Sequence, residues 1–383
     1  MVYANQPPVV PVIDKAMRAQ LRKVYRIGVS AGKNPAVFAK VGDSITHGDH
    51  FLNAIGCSAE ELGNHQNLAP TIQFFRATSF PASYTNAWCG KANSFSRETV
   101  TADNGWTALE PLTTFPNPVS ACPPPDDNPL RCELRLIKPS IALIMLGTND
   151  LEEDDPKKFR KALTLVVQET MVEGVVPVLS TIPPRLDSTI MGRRVAPYNQ
   201  IIQDIADTLQ VPLWNYWFAL QAPSMINQGM DNKGIHPNVF NGHDPAFFTS
   251  EGLRYGFNQR NFTAVEVLKK LRAVIQNTAP ADATTTPGFA IFPTQLQATV
   301  QRGTTISLKI KIARINLTDP ITLRLKAPPA GISATFVTNA TGTSAIMNLL
   351  VQSGFTPGNY RITVRGTTGT LKRTTTFALD VTN

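Results

Sequence analysis

Three features of the chain predict an α/β domain built on a doubly wound parallel sheet, followed by an all-β sandwich. Short, uniformly apolar segments alternate with helical segments over the first 275 residues, the pattern of parallel strands covered on both faces. The stretch QNTAPADATTTPG, Gln276 to Gly288, is small, polar and interrupted by Pro, which is linker composition. Beyond it the hydrophobic period shortens to two. A length of 383 residues suits two domains, with expected divisions at 1–275, a linker over 276–289, and 290–383.

The strands expected of the first domain are VFAKVG (37–42), IALIMLG (141–147), VVPVLST (175–181) and VPLWN (211–215). Between the second and third, Asp155 reads as an N-cap, Pro156 as a first-turn residue and Gly174 as a stop. Phe159, Leu163, Val166 and Val167 form the apolar stripe between them. After the linker, TISLKIKIARI alternates apolar and polar residues, and PITLRLKA, ISATFV, AIMNLLVQ, NYRITVRG and TTTFALDV follow at short intervals. Such spacing predicts a sandwich, and about 95 residues fits one immunoglobulin-like module.

With 42% hydrophobic and 17% charged residues, the chain is not of disordered composition. Its longest uninterrupted apolar run, Ile141 to Leu146, is far too short for a spanning helix. The formal charge of +8 is unevenly placed: from Ala290 onward ten Lys and Arg face two acids, while the first 289 residues carry 26 of each sign. That asymmetry reads either as a basic, soluble β face or as a surface for an anionic glycan or cell surface. Interleaving with Thr rather than aromatics argues against nucleic acid.

Cys122 and Cys132 bracket a Pro-rich loop at a spacing that suits a disulfide, and Cys57 and Cys89 either pair or remain buried thiols. The even cysteine count, the sequons at Asn261, Asn316 and Asn339 and the Thr-rich C-terminal part point to an extracellular protein. The opening MVYANQPPVVPV lacks the basic and apolar regions of a signal peptide, so none is expected there.

The chemistry concentrates at strand ends. VFAKVGDSITHG runs a strand into Gly-Asp-Ser and places Ser44 where ligands of open α/β sheets bind. Alone, that tripeptide fits a helix N-cap as well as a nucleophile. IALIMLGTND ends a second strand in Asn149, an amide donor, and GIHPN supplies His236 from a loop.

In this order and spacing, GDSIT, GTND and GIHPN resemble the SGNH (GDSL-type) hydrolase family, over roughly residues 13 to 275. SFSRETVTADNGWTALEPL and PLRCELRLIKPSIALIMLGTND resemble an extracellular bacterial branch. The resemblance implies a flavodoxin-like sheet and a serine esterase acting through an acyl-serine. By matched position Ser44 would be the nucleophile, His236 the base, and the oxyanion hole the Ser44 N–H, a Gly N–H and Asn149. The Gly is taken as Gly105, with Gly90 the alternative.

A neutral imidazole can take the serine proton and return it, and fixed donors stabilise the developing oxyanion. This chemistry requires no metal or cofactor. Where the family has an Asp three residues before the His, this chain has Lys233. Asp231 is the expected acid, against a Ser-His dyad or an inactive binding protein that holds a glycan; Asp244 is a remote further candidate. The expected substrate is a carboxylic ester, with polysaccharide O-acetyl or short-chain esters preferred.

His47 and His50 have a metal-like spacing without a third ligand, and read as surface or near-site residues. Trp88, Trp106, Trp214 and Trp217 fit core better than cleft. Asp43 and Asp150 read as loop-fixing groups. Arg185 fits an anionic substrate and a loop acid equally.

Overall fold

A computed structural model describes residues 6–85, 87–113, 122, 128–242, 245–276, 288–293, 297–315 and 317–383. The chain divides into two compact units. In the first, β1 (Asn34–Gly42), β2 (Pro139–Met145), β3 (Val176–Ser180) and β4 (Leu213–Trp214) pair in parallel, in that spatial order. Every residue of β2 and β3 is buried, so both faces of the sheet are covered.

The far edge of β1 is occupied by the segment that follows Thr99. Its Ala102 forms a parallel bridge with Gly42, and the Gly42 N–H donates to the Thr101 carbonyl at 3.0 Å. The hydroxyls of Thr99 and Thr101 both donate to the Lys40 carbonyl at 2.8 Å. Counted as a strand, this segment turns the order into the flavodoxin-like 2-1-3-4-5, with the switch point at the carboxyl end of β1.

Among the described residues, ten helices dress the sheet: α1 (Lys15–Ser30), α2 (Ser44–His47), α3 (Asn53–Gly56), α4 (Ala69–Arg76), α5 (Pro129–Leu136), α6 (Asp150–Glu153), α7 (Pro156–Val172), α8 (Thr189–Leu209), α9 (Tyr216–Ala219) and α10 (Gly256–Leu271). The expected helix between β2 and β3 is α7. The Asp155 carboxylate accepts from the N–H groups of Lys157 and Lys158, and Phe159, Leu163, Val166 and Val167 are buried. Gly174 lies just beyond its end at φ +75°. Under β1, Phe38 meets Phe75 and Phe95 edge-on at 5.5 and 5.0 Å.

Cys57 is bonded to Cys89 and Cys122 to Cys132. A fully buried ion pair of Arg97 with Glu133 ties the segment before Thr99 to α5. Asn261, matched by a glycosylation sequon, is fully buried on α10 and donates to the carbonyls of His50 and Pro245, so it is a structural amide. Asn339 is exposed, and Asn316 lies outside the described residues.

The second unit is a sandwich of two four-stranded sheets. One runs β5 (Gly288–Pro293), β7 (Thr305–Ile315), β10 (Ser344–Val351), β9 (Ile332–Thr338), and the other β6 (Gln297–Gln301), β12 (Leu371–Thr382), β11 (Gly358–Thr368), β8 (Thr322–Leu325). Alternate residues such as Leu308, Ile310, Met347, Leu349, Ile362, Val364, Phe377 and Leu379 fill the core between them. The six strands expected from period-two patterning are present. β5 and β6 were not anticipated; β5 opens at Gly288, inside the stretch read as linker, whose residues 277–287 lie outside the described ones.

Candidate active site

β1 ends at Gly42 and α2 begins at Ser44, with Asp43 as the cap between them. Its carboxylate accepts from the Ile45 N–H at 2.9 Å, which fixes the turn. Gly42 is needed here for space: a Cβ would come within 2.2 Å of Thr46 Oγ1 and 2.7 Å of the Met145 carbonyl. Ser44 opens α2, so its N–H has no intrahelical acceptor and its half-exposed side chain sits at the switch point.

The Ser44 hydroxyl lies 2.9 Å from His236 Nε2. With the proton on Nδ1, the ring accepts the serine O–H. The loop that brings His236 there is closed by backbone bonds: Asp231 N–H donates to the His236 carbonyl at 2.8 Å, and Gly234 N–H to the Asp231 carbonyl at 3.1 Å. Met230 and Pro237 bridge across its base. Asn238 then anchors the loop to the start of α10, accepting from Gly256 N–H at 2.7 Å. From the other side, Leu186 N–H donates to the Gly234 carbonyl at 2.8 Å. Gly234, at φ +73°, has the Leu186–Asp187 backbone 2.7 Å from where a Cβ would stand.

The Asp231 carboxylate accepts from the Ile235 N–H at 3.1 Å, inside the loop, and makes no hydrogen bond to the His236 ring among the described residues. Lys233 is exposed. No described group stands at hydrogen-bond distance from Nδ1, and Asp244 lies outside the described residues. The geometry therefore joins Ser44 to His236 and gives Asp231 to the loop backbone.

Asn149 is the residue before α6, where the β2 strand end turns past Gly147. One of its Nδ2 hydrogens goes to the Trp106 carbonyl at 2.8 Å, and no described residue accepts the other. Gly105 immediately precedes Trp106 and is exposed at φ +76°, and a Cβ there would meet nothing within 4 Å. The loop it belongs to is tied down twice. Both Asp150 carboxylate oxygens accept from Ala108 N–H, at 3.2 and 3.0 Å, and Glu110 accepts the Thr107 N–H and hydroxyl at 2.6 Å. Gly90 spends its N–H on the Ala87 carbonyl at 2.8 Å.

Arg260, on α10, was not anticipated. It is 1% exposed, lies 3.7 Å from the Phe51 ring centroid, and donates to the Ile45 carbonyl and to Thr46 Oγ1, the latter at 2.8 Å. Burial brings its guanidinium down to about 10 and pushes the neighbouring Asp43 carboxyl up, with Arg260 and the Ile45 N–H pulling that carboxyl back. The second Asp43 oxygen and the Thr148 hydroxyl are both buried, and the Thr148 hydroxyl also helps to pull the Asp43 carboxyl back. Burial also raises Asp150 to about 7.

Arg185 takes the loop acid: it grips Asp187 at 2.7 and 2.8 Å, reaches Glu152 at 3.4 Å and donates to the Thr148 carbonyl at 3.2 Å. His47 is exposed, with Nδ1 at 3.1 Å from the Ala102 carbonyl, and the His50 ring lies 5.2 Å from that of Phe257. No group of three His, Cys, Asp or Glu able to hold a metal occurs among the described residues. Trp214 is core, Trp106 and Trp217 are half-buried, and Trp88 is 76% exposed.

No match to a curated protein was found. Among solved structures, the chain is similar to a GDSL-like lipase from Bacteroides thetaiotaomicron (13% identity, 65% of this chain and 98% of that one, TM-score 0.36). It is also similar to an acetyl xylan esterase from Geobacillus stearothermophilus (14%, 60% and 93%, 0.36). A psychrotrophic esterase from Pseudoalteromonas is a third (17%, 61% and 97%, 0.33). The model of the GDSL-like lipase/acylhydrolase family matches residues 41–240, the span from the end of β1 past His236. That match covers more than half of the 383 residues, and the chain belongs to this family of ester-hydrolysing serine hydrolases.

Proposed function

We propose that this protein hydrolyses carboxylic esters with Ser44 as nucleophile and His236 as its general base. The observation that carries the reading is the 2.9 Å approach of Ser44 Oγ to His236 Nε2 at the carboxyl end of β1. As Oγ attacks the ester carbonyl, its proton passes to Nε2, and the oxygen gains negative charge. The Ser44 N–H, the Gly105 N–H and the second Asn149 amide hydrogen receive that charge. The imidazolium returns the proton to the departing alkoxide, and water repeats the sequence to free Ser44. Asp231 acts as a positioning residue that shapes the His236 loop through Ile235.

The substrate we favour is a polysaccharide O-acetyl or other short-chain ester, because the sequence offers no long apolar segment to serve as a lipase lid. Two disulfides support an extracellular location. Among the described residues no helix is long and apolar enough to cross a membrane. Turnover of p-nitrophenyl acetate by the full chain, lost in Ser44→Ala with the fold retained, is the expected result; equal turnover by the variant would refute the assignment.

A further inference from the structure

The outer face of the β6-β12-β11-β8 sheet collects five cations and one acid. On β11, Arg361 and Arg365 alternate with the core residues Ile362 and Val364, so both point away from the core. On β8, Arg324 alternates with buried Leu323, and the register sets it directly opposite Arg365. On β12, Lys372 pairs with Thr367, two residues beyond Arg365 on the same face. Lys326 continues the outward parity of β8 and is fixed beside Thr363 by its N–H, at 2.8 Å.

Two arginines opposite each other on antiparallel strands stand roughly 5 Å apart at Cα, an arrangement that costs stability when nothing neutralises it. No ion pair joins these five cations to an acid among the described residues, and the acid of the same parity, Asp380, lies opposite Asn359, diagonal to Arg361 and away from Arg324 and Arg365. The charges extend along the sheet, since Arg361 and Arg365 lie about 13 Å apart on one strand. Between them the outward positions are threonines, among them Thr363 and Thr374, which offer hydroxyls.

We propose that this face binds an acidic polysaccharide, its carboxylates paired by the guanidinium groups of Arg324, Arg361 and Arg365 and its hydroxyls by the threonines between. Guanidinium forks match planar carboxylates, and a flat sheet accommodates an extended chain. A nucleic acid fits less well, since the outward positions of these strands hold no aromatic for base stacking. The inference concerns binding alone and is independent of the esterase reading.

The test is a titration of the full chain against fluorescein-labelled polygalacturonate at low ionic strength, with neutral dextran and a DNA duplex as comparison probes. Saturable, salt-sensitive binding to polygalacturonate and none to dextran is expected. The pair Arg324→Gln with Arg365→Gln should weaken it roughly tenfold or more, since two charge-assisted contacts are lost. Lys157→Gln with Lys161→Gln, exposed on α7, removes the same charge and should leave affinity unchanged. The Arg pair should keep or raise the thermal midpoint, because a like-charge contact disappears; should it unfold the domain, Arg361→Gln with Lys372→Gln tests the same face. Equal weakening by the Lys157 and Lys161 pair, absence of binding, or tighter binding of the duplex overturns the proposal.

Discussion

Arg260 reaches from α10 to the first turn of α2 and holds Thr46 by a 2.8 Å hydrogen bond, two residues beyond Ser44. A second bond goes to the Ile45 carbonyl, and the guanidinium covers the Phe51 ring. A buried cation thus lies against the short helix that carries Ser44. We therefore expect Arg260→Met to lower kcat for p-nitrophenyl acetate by tenfold or more, about 1.4 kcal/mol at the least, with KM little changed. Thermal stability should fall as well, because buried Asp43 then loses its opposing charge. Unchanged kcat in a folded Arg260→Met protein would confine Arg260 to a purely structural role.

Asn149 has one amide hydrogen on the Trp106 carbonyl and one without an acceptor among the described residues. Asn149→Ala is expected to reduce kcat by roughly 100 to 1,000-fold with a small effect on KM, the signature of a donor used in the transition state. Steady-state kinetics separate this from ground-state binding, which would move KM instead.

The loop around His236 makes opposite demands on two neighbouring positions. Asp231→Asn keeps an oxygen that can accept from Ile235 N–H, so activity should stay within about threefold of the parent, well short of the four-decade loss seen when a triad acid is made an amide. Asp231→Ala removes the acceptor and should depress kcat more. Lys233→Asp is expected to be neutral or activating. A loss of several hundredfold in Asp231→Asn, measured over a pH series, would restore Asp231 as the acid facing the ring.

Asp150 supplies a pH dependence of stability. Burial raises its folded pKa to about 7, against about 3.9 in an unfolded chain. The folded state then holds this proton more tightly, so the contribution is full below pH 4 and is lost as pH rises through 7. Subtracting the thermal midpoints of Asp150→Asn from those of the parent should leave a difference that falls between pH 4 and 7. A flat difference would mean that Asp150 is ionised in the folded protein throughout.

The parallel sheet was legible because its strands are buried on both faces and therefore uniformly apolar, as in β2 and β3, and because Asp155, Pro156 and Gly174 mark the ends of α7. The strand that completes the order beside β1 was not, since it shrinks to the Thr99–Ala102 segment, whose threonine hydroxyls bond the Lys40 carbonyl in place of a full ladder. β5 and β6 escaped because Pro and Thr border them and blur the period of two. Ser44, Asn149 and His236 could be placed from motifs at strand ends and in a loop. Arg260 could not, since α10 buries Asn258, Arg260 and Asn261 on the face where a hydrophobic stripe would be sought. The hydrogen bond that Asp231 accepts from Ile235 depends on a loop closed by backbone hydrogen bonds, which no spacing rule encodes.

The most direct measurement is covalent labelling of the full chain with diethyl p-nitrophenyl phosphate, followed by intact mass and peptide mapping. One diethylphosphoryl group on Ser44, absent in Ser44→Ala and greatly slowed in His236→Ala, is the expected result. Modification of a different serine, or labelling of Ser44 at the same rate without His236, would contradict a nucleophile activated across the 2.9 Å contact.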